Sequence, residues 1–546
     1  MPSARCYVRA SIALIAFLSA CGEESSKNGT SAAGGTGGAS ISGGTSTGGR
    51  VAGTGGQTAL GGGAGGTGGV TGSGGAGAHG GAGAAGGAVG TGGTAGTTTG
   101  GTTGKATGGT TGTTTGGTTG TTTGGMSTGG ATGTGGATGP TGPCDIYKSA
   151  GTPCVAAHAT VRALYAAYDG PLYQVQRASD KAVKDIPVGE GGFADSSVQD
   201  SFCANTNCTI PIIYDQSGNG NHLRVTWWAY WLRNGGKPAD AKGQKITVGG
   251  HTVYGIKVTA SSNVGYRTGV QLPGTAAITK GSKTVTFSQP QTLPANTPLY
   301  FRANTQDCPP DSFPNGCKFL AQWTAEAITN STTVTLKTAY AGTSSATTDV
   351  WDNTTKGVAV GNEAQDLYMV VDGRRYSKDC CFGYGNSEMS GWDEGNGTME
   401  CVYFGSDVTW GGRGEGNGPW IAADLENGMF KCDKGGWGSD SLQVPSAKSI
   451  DADYATAMVK GPAENHFTLK AGNAQSGKLV TMWDGARPAN GYSPKSLRGA
   501  VILGTGGDGS PGGTGTWFEG VVTKGTAPAG VDDSIQANIV AIGYGK

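Results

Sequence analysis

The sequence is poor in charge, and neither sign is in excess. Charged residues make up 14% of the 546 positions, and 38 Lys and Arg balance 38 Asp and Glu. A chain with this balance creates no overall field that attracts polyanions. We therefore expect no nucleic-acid partner and no electrostatic binding to anionic lipid, whereas a neutral ligand such as a sugar suits the surface.

Histidine is scarce, and the patterns of several catalytic centres are missing. The chain holds five histidines, and its cysteines are adjacent or far apart, so zinc is only the competing explanation for them. No G-x-S-x-G elbow is present within 144–546. The stretch GTGGDG at 504–509 lacks the lysine of a phosphate-binding loop. We expect neither a metal nor any other cofactor.

Long apolar runs are also missing, apart from a short one near the start. Arg5 and Arg9 precede the apolar run 10–20, which predicts a signal peptide at 1–20 rather than a membrane span. The run ends in Leu18-Ser19-Ala20-Cys21, which is similar to a bacterial lipobox. We expect Cys21 to be acylated and to hold the exported chain at the cell surface or outer membrane. The alternative is an ordinary signal peptide that leaves the protein secreted.

Residues 21–143 lack core-forming side chains, because they are almost entirely Gly, Thr, Ala and Ser. Without a periodic apolar face, nothing offsets the entropy of ordering them. We predict a disordered tether with a root-mean-square span on the order of 60 Å; a packed glycine-rich helix array is the alternative. The aromatic and apolar residues follow at 144–546, which we expect to form one large domain.

The domain at 144–546 shows mostly strand patterns, with helical periods only at 154–168 and 451–459. Closely spaced turns favour an all-β fold, a β-sandwich of concanavalin-like or jelly-roll type. Residues 273–360 look like a β-rich insertion, which serves as a lid or as decoration, with strands at 283–287, 298–301 and 333–338. The other predicted strands are 209–214, 245–248, 253–258, 367–371, 400–404, 420–425, 478–483, 500–503 and 517–522.

Ten cysteines remain after Cys6 and Cys21, an even number that suits full pairing in an oxidising compartment. Cys380 and Cys381 are adjacent, so a bond between them closes a strained ring. Such strain is typical of functional sites. The ring would present a rigid apolar surface that could pack against a sugar. Alternatively, each of the two cysteines pairs with another cysteine. Short loops suggest the other bonds: Cys144–Cys154, Cys203–Cys208, Cys308–Cys317 and Cys401–Cys432.

Three acidic residues, in two separate segments, are candidates for catalysis. In WIAADLEN at 420–427, strand alternation puts Asp424 and Glu426 on one face, although surface carboxylates in strands are common. Asp508 follows the apolar stretch 500–504 in a Gly-rich loop whose backbone can approach a ligand, but it could equally cap a turn. Four tryptophans could stack on sugar or pack in the core: Trp227, Trp228, Trp410 and Trp437.

Longer motifs run along the chain from Cys144 onward. They are CDIYKSAGTPCVAAHATVRALY at 144–165, GPLYQVQRASD at 170–180, QDSFCANTNC at 199–208, IIYDQSGNGNHL at 212–223, VDGRRYSKDCCFGYGN at 371–386, GPWIAADLENGMF at 418–430, GARPANGYSPKSLRGAVILGTGGD at 485–508 and SIQANIVA at 534–541. Together these motifs resemble the catalytic domain of glycoside hydrolase family 54, the α-L-arabinofuranosidase B group. Thr398 stands where that family has a histidine before Met399-Glu400.

The resemblance implies a β-sandwich that releases terminal arabinofuranosyl groups from arabinan and arabinoxylan, arabinose-containing plant polysaccharides, with retention of configuration. It places the nucleophile at Glu426 and the acid/base at Asp508, whose pKa we expect to rise beside the charge of Glu426. It implies sugar binding by Asp424, Asn427, Gly507, Trp410 and the Cys380–Cys381 disulfide. We expect a monomer; a silent sugar-binding lectin and a surface adhesin are the rival interpretations.

Overall fold

The fold is seen in a computed structural model that describes residues 141–232, 234–304 and 323–546. The predicted signal peptide, Cys21, the tether up to residue 140 and the Cys308–Cys317 pair lie outside the described residues. These features remain predictions.

Most of the described chain is β-structure, and one large sheet runs through it, here called the long sheet. Its neighbouring strands are antiparallel throughout. In sheet order, the strands are Met429–Phe430, Trp420–Asp424, Glu400–Gly405, Gly383–Ser387, Ala500–Leu503, Tyr266–Arg267, Leu223–Val225, Cys208–Ile213, Pro171–Arg177 and Val183–Pro187, with Ala239–Asp240 also paired to Cys208–Ile213.

A second antiparallel sheet, the short sheet, lies against the long one. In sheet order its strands are Cys154–Ala159, Gly515–Thr523, Gln365–Asp372, Tyr454–Gly461, Phe467–Asn473 and Val480–Gly485, with Ile256–Val258 also paired to Gly515–Thr523. Side chains from both sheets share one buried core. Tyr384 of the long sheet, for example, lies 5.6 Å from the ring of Trp517 in the short sheet. The predicted all-β sandwich is therefore confirmed.

Within the segment from Val270 to Asp352, the described residues form two small antiparallel sheets with a hydrophobic cluster of their own. Its apolar side chains are buried among themselves, which indicates a subdomain attached to the sandwich. One sheet contains Val270–Gln271, Val350–Asp352, Pro298–Phe301 and Trp323–Thr324, and the other contains Ile328–Thr335, Thr284–Leu293, Ala276–Ile278 and Ser345–Thr348.

Helices and small pairs complete the described residues. The α-helices are Pro143–Ser149, Ser196–Phe202 and Val531–Ala541, the 3-10 turns are Glu190–Gly192 and Arg302–Asn304, and the two remaining strand pairs are Arg413–Glu415 with Gln443–Lys448 and Lys245–Val248 with His251–Tyr254. Among the described residues, no helix has both the length and the apolar character that crossing a membrane requires.

The two helical periods read from the sequence were wrong. Residues Cys154–Ala159 and Tyr454–Gly461 are strands of the short sheet. Almost every side chain in both strands is buried, so polar and apolar residues do not alternate. A strand covered on both faces gives a continuous apolar run that periodicity cannot distinguish from a buried helix.

Three of the predicted disulfides are formed: Cys144–Cys154, Cys203–Cys208 and Cys380–Cys381. The predicted Cys401–Cys432 bond is wrong, because both thiols are free and buried. The two cysteines pack in different clusters, Cys401 with Met399 and Ile502, and Cys432 with Trp420 and Val444. Each thiol contacts a different backbone carbonyl instead, that of Asn386 and that of Lys434.

Candidate active site

The first candidate residues lie where a strand near one edge of the long sheet ends. Trp420–Asp424 is fully buried, and the chain then turns through Glu426 and Asn427 at φ 69° and 57°. The backbone N–H of Glu426 donates to Asp424 Oδ1 at 3.2 Å. Asp424 and Glu426 are therefore brought together by a left-handed turn, not by the strand alternation that the sequence suggested.

Asp508 lies in a loop that follows Ala500–Leu503, another strand of the long sheet. Its carboxylate accepts a hydrogen bond on each oxygen, from the backbone N–H of Ser510 at 2.9 Å and from the indole N–H of Trp231 at 2.8 Å. Beneath the loop, the buried guanidinium of Arg267 donates to the carbonyls of Gly507 and Glu388. These contacts fix the position and the orientation of the Asp508 carboxylate.

Five carboxyl groups share this region: Glu388, Asp393, Asp424, Glu426 and Asp508. Burial raises the pKa of Glu426 well above its usual value, and the charges of the other four raise it further. Burial likewise raises the pKa of Asp424 well above its usual value. Each charge in the cluster opposes ionisation of its neighbours, so these carboxyls keep their protons to a higher pH than isolated carboxyls do.

The pKa of Asp508 rises as the sequence led us to expect, but for a different main reason. Burial is the largest cause, while hydrogen bonds from Ser510 and Trp231 and the charge of Arg267 act in the opposite direction. Burial therefore opposes ionisation of Asp508, whereas these contacts favour its carboxylate form. A group balanced in this way can give up a proton and take it back.

Glu388 is a buried carboxyl that sequence reasoning missed. It is fully buried, and burial raises its pKa to about 7. Thr398, the residue found where the resembling family has histidine, donates a hydrogen bond to Glu388 Oε1, and Ser387 donates to Oε2 at 3.0 Å. The Thr398 hydroxyl therefore supports a carboxyl group beside the candidate nucleophile.

The predicted sugar-binding groups border these carboxyls. Asn427 donates from Nδ2 to Asp393 Oδ1 and to Asn396 Oδ1, both at 3.2 Å. At Gly507, an added Cβ would lie 2.1 Å from Glu388 Oε2. Only glycine therefore fits between the Asp508 loop and Glu388, which explains the Gly-rich sequence at this point.

An apolar wall stands beside the carboxyl cluster. The Cys380–Cys381 disulfide and Trp410 pack together with Tyr403, Ala422 and Met429. The Ser510 hydroxyl lies 3.1 Å from Cys381 Sγ and joins this wall to the Asp508 loop. The structure thus brings all eight predicted site residues into one region, with polar groups on one side and an apolar surface on the other.

Several contributors were missed in the sequence, namely Trp231, Arg267, Glu388 and Asp393. The cluster WWAYW at 227–231 was the one available signal, but only its first two tryptophans were considered there as sugar platforms. The other three residues gave no local pattern, because their roles depend on contacts distant in sequence. Within the described ranges, no group of three or more His, Cys, Asp or Glu side chains is arranged to hold a metal ion.

Comparison with known proteins identifies a family for this chain. The sequence model of the family described as "Alpha-L-arabinofuranosidase B, catalytic" matches residues 143–287 and 302–545. The match is interrupted only at 288–301, so most of the small subdomain lies inside the family pattern.

Curated and solved relatives give the same result. Alpha-L-arabinofuranosidase B of Aspergillus oryzae is 41% identical over 411 residues, 74% of this chain and 62% of that protein. Arabinofuranosidase/B-xylosidase of Trichoderma koningii is 40% identical, over 74% of this chain and 63% of its own length. This chain therefore spans less than two thirds of the length of these relatives.

Two solved structures extend the comparison to the fold. A GH54 α-L-arabinofuranosidase soaked with a cyclic sulfate inhibitor is 36% identical with a TM-score of 0.55, covering 74% of this chain and 66% of that one. An arabinofuranosidase complexed with arabinofuranosyl-α-1,2-xylobiose is also 36% identical with a TM-score of 0.55, covering 74% and 65%. The chain therefore belongs to the α-L-arabinofuranosidase B catalytic family, glycoside hydrolase family 54.

Proposed function

We propose that this protein is an exo-acting, retaining α-L-arabinofuranosidase with Glu426 as nucleophile and Asp508 as acid/base. Two observations support the proposal: both carboxyls are buried near enough for the charge of Asp508 to raise the pKa of Glu426, and the Cys380–Cys381 wall contacts the Asp508 loop through Ser510. Retaining glycosidases use two carboxyl groups about 5–5.5 Å apart. Family membership supports the assignment, since both residues stand at the motif positions of that family.

In the first half-reaction, the Glu426 carboxylate attacks the anomeric carbon while the bond from that carbon to the leaving oxygen breaks. Asp508 gives its proton to the leaving oxygen. The raised pKa of Asp508 favours this step, because the acid form persists at a pH where an ordinary Asp has already ionised. The products are an arabinofuranosyl ester of Glu426 and a free alcohol.

In the second half-reaction, water attacks the same carbon and the ester bond to Glu426 breaks. The Asp508 carboxylate accepts the proton of that water, which restores both groups to their starting forms. Two displacements at one carbon give overall retention. The hydrogen bonds from Trp231 and Ser510 to Asp508 support its carboxylate form in this step.

The residues around the reacting carbon suit a single furanose ring. Asp424 and Asn427 offer a carboxylate and an amide to sugar hydroxyls, and the Cys380–Cys381 disulfide with Trp410 offers an apolar face. Hydrogen bonds to the sugar accelerate the reaction where they tighten in the transition state. The relative crystallised with arabinofuranosyl-α-1,2-xylobiose supports arabinoxylan side chains as one substrate class, and arabinan is the other that we propose.

We further propose that the protein is exported as a monomer. Three disulfides are typical of chains that fold in an oxidising compartment. A lipid on Cys21 and the tether at 21–143 would place the catalytic domain near polymer at the cell surface. Globomycin-sensitive processing of the full chain and loss of lipid labelling in Cys21→Ser test the anchor.

The experiment for the catalytic proposal is hydrolysis of 4-nitrophenyl α-L-arabinofuranoside by the full chain and three variants. Glu426→Gln and Asp508→Asn remove the proposed groups with little change of shape. Glu415→Gln is the matched control, because Glu415 is exposed and pairs only with Lys448 at the surface. We expect activity in wild type and in the control, and a loss of turnover of at least a hundredfold in the other two.

The outcomes separate the rival interpretations. Full turnover in Glu426→Gln or in Asp508→Asn would remove that residue from the mechanism. Binding of arabinose-containing oligosaccharide by wild type without any hydrolysis would instead support a lectin. Neither binding nor hydrolysis would favour the adhesin.

A further inference from the structure

We propose that Trp231 is a positioning residue for the acid/base group, acting through its indole N–H on the carboxylate of Asp508. The inference rests on the proposed function. The indole nitrogen lies 2.8 Å from Asp508 Oδ2, and the backbone N–H of Trp231 donates to the Asp508 carbonyl at 3.1 Å. One residue therefore holds both the side chain and the main chain of Asp508.

The loop that carries Trp231 is held tightly against the Asp508 loop. Tyr230 donates from its backbone to the carbonyl of Gly391 at 2.9 Å. Ala229 packs closely against two glycines. A Cβ added to Gly391 would lie 2.9 Å from Ala229 Cα, and a Cβ added to Gly509 would lie 2.3 Å from Ala229 Cβ. Contacts this close leave the indole little freedom to move away from Asp508.

A chain of aromatic contacts braces the same loop from the small subdomain. Trp351 of that subdomain stacks on Trp227 with ring centroids 4.3 Å apart, and Tyr300 lies 6.1 Å from the same ring. Further along, Tyr230 lies 4.6 Å from Trp392 and 5.0 Å from Trp231. The segment from Val270 to Asp352 thus supports the loop that positions the acid/base.

The hydrogen bond has a defined chemical consequence. A carboxylate oxygen has two acceptor sites, and a donor fixed at one of them orients the carboxyl plane toward the substrate. Donation by the indole also favours the charged form of Asp508, so its loss raises the pKa of that carboxyl. The other charged groups that act on Asp508, namely Arg267, Asp393, Asp424 and Glu426, are unchanged by a substitution at Trp231.

The test compares Trp231→Phe with Trp228→Phe in the full chain. Trp228 is buried in the same aromatic cluster, but its indole N–H has no hydrogen-bond partner among the residues that the structure describes. Both substitutions remove an indole, and only the first removes a donor to Asp508. The value of kcat/KM is measured for two α-L-arabinofuranosides, the 4-nitrophenyl glycoside, whose leaving group needs no proton, and a methyl glycoside, whose leaving group does.

For Trp231→Phe we expect kcat/KM with the methyl glycoside to fall on the order of tenfold or more, a loss smaller than the whole contribution of general acid catalysis. With the 4-nitrophenyl glycoside we expect kcat/KM to fall less than about twofold, because that leaving group needs no proton. The basic limb of the pH profile should move to higher pH, because a raised pKa keeps the acid form at higher pH. Trp228→Phe should keep the wild-type ratio between the two substrates and the wild-type basic limb.

Equal losses with both substrates in Trp231→Phe, or the same pattern in both variants, would overturn the positioning role. Failure of the proposed function looks different. In that case, wild type shows no hydrolysis of either glycoside, or Asp508→Asn shows no greater loss with the methyl than with the 4-nitrophenyl glycoside.

Discussion

At the scale of single residues, three site residues have a backbone in the left-handed region. Cys381, Glu426 and Asn427 lie at φ 79°, 69° and 57°. A non-glycine residue in this region costs about 1–3 kcal/mol and persists only where its surroundings hold it. Such strain concentrates at functional sites, and here it aims the disulfide and the Glu426 carboxyl at the same space.

The ionised form of Glu426 is itself a cost to stability. Because its pKa is raised in the fold, Glu426 stabilises the protein below the unfolded-state pKa and loses that contribution as pH rises through the folded pKa. We predict that Glu426→Gln abolishes turnover but raises the unfolding free energy at pH 8 by about 0.5–2 kcal/mol. Urea unfolding at pH 5 and pH 8 checks this, and a less stable variant at pH 8 would contradict it.

Trp437 is the one large aromatic side chain of the described residues with high exposure, at 42%. Its ring centroid lies 4.7 Å from that of Trp410, and its loop is held by the bond from the Gly436 N–H to the Trp410 carbonyl. We predict that Trp437→Ala raises KM for arabinoxylan about 3- to 10-fold, equivalent to about 1 kcal/mol of lost sugar stacking. The KM for 4-nitrophenyl α-L-arabinofuranoside serves as the control and should stay within twofold.

At the scale of elements, one buried carboxylate joins the two sheets. Glu400 begins a strand of the long sheet and accepts hydrogen bonds from Arg487 at 2.5 Å and from Gln365 of the short sheet at 2.8 Å. Lys495 lies 3.5 Å from the same carboxylate and donates to the Gly461 carbonyl of the short sheet. Burial alone would raise the pKa of Glu400, but the charges of Arg487 and Lys495 lower it to about 2.

The substitution Glu400→Gln leaves two buried cations without their counter-charge. We predict a loss of about 3–5 kcal/mol in unfolding free energy at pH 7. The contribution of Glu400 is present above the unfolded-state pKa and is lost as pH falls toward 2. The difference between variant and wild type should therefore narrow below about pH 4.5.

Glu415→Gln, at the exposed Lys448 pair, is the control for this measurement and should change stability by less than about 1 kcal/mol. An equal effect of the two substitutions at pH 7 would show that the link between the sheets at Glu400 is no stronger than a surface pair.

Most strands could be predicted from the sequence, but two of the buried strands, Cys154–Ala159 and Tyr454–Gly461, could not. Lys245–Val248 and Ala500–Leu503 have the predicted bounds, because turns or glycines delimit them. Tyr454–Gly461 was misread as helix, since a strand buried on both faces shows no alternation. The Cys401–Cys432 pair failed for a related reason: loop length gave no information on which cluster each thiol enters.

At the scale of the whole molecule, the sandwich brings together residues that are distant in sequence. Glu426 and Asp508 follow strands separated in the long sheet by Glu400–Gly405 and Gly383–Ser387, and Trp231 reaches the same place from a third loop. The family motifs predicted the first two residues. Trp231, Arg267 and Glu388 could not be predicted, because each acts only through contacts that the sheet order creates.

The small subdomain also contributes to the site at the scale of the whole molecule. Its own hydrophobic cluster and its stacking contact from Trp351 to Trp227 make it a brace for the site rather than a separate appendage. The sequence indicated its strands, but left open whether it was a lid or decoration. Its contact with the WWAYW loop became visible only in the folded chain.

The most direct test of the central claim is to trap the sugar on the protein. In Asp508→Asn, the 4-nitrophenyl glycoside should still react with Glu426, because its leaving group needs no proton, whereas water is no longer activated to release the sugar. Intact-protein mass spectrometry should therefore show one added arabinofuranosyl unit, and peptide mapping should place it on Glu426. An adduct on another residue, or steady turnover without any adduct, would contradict the account.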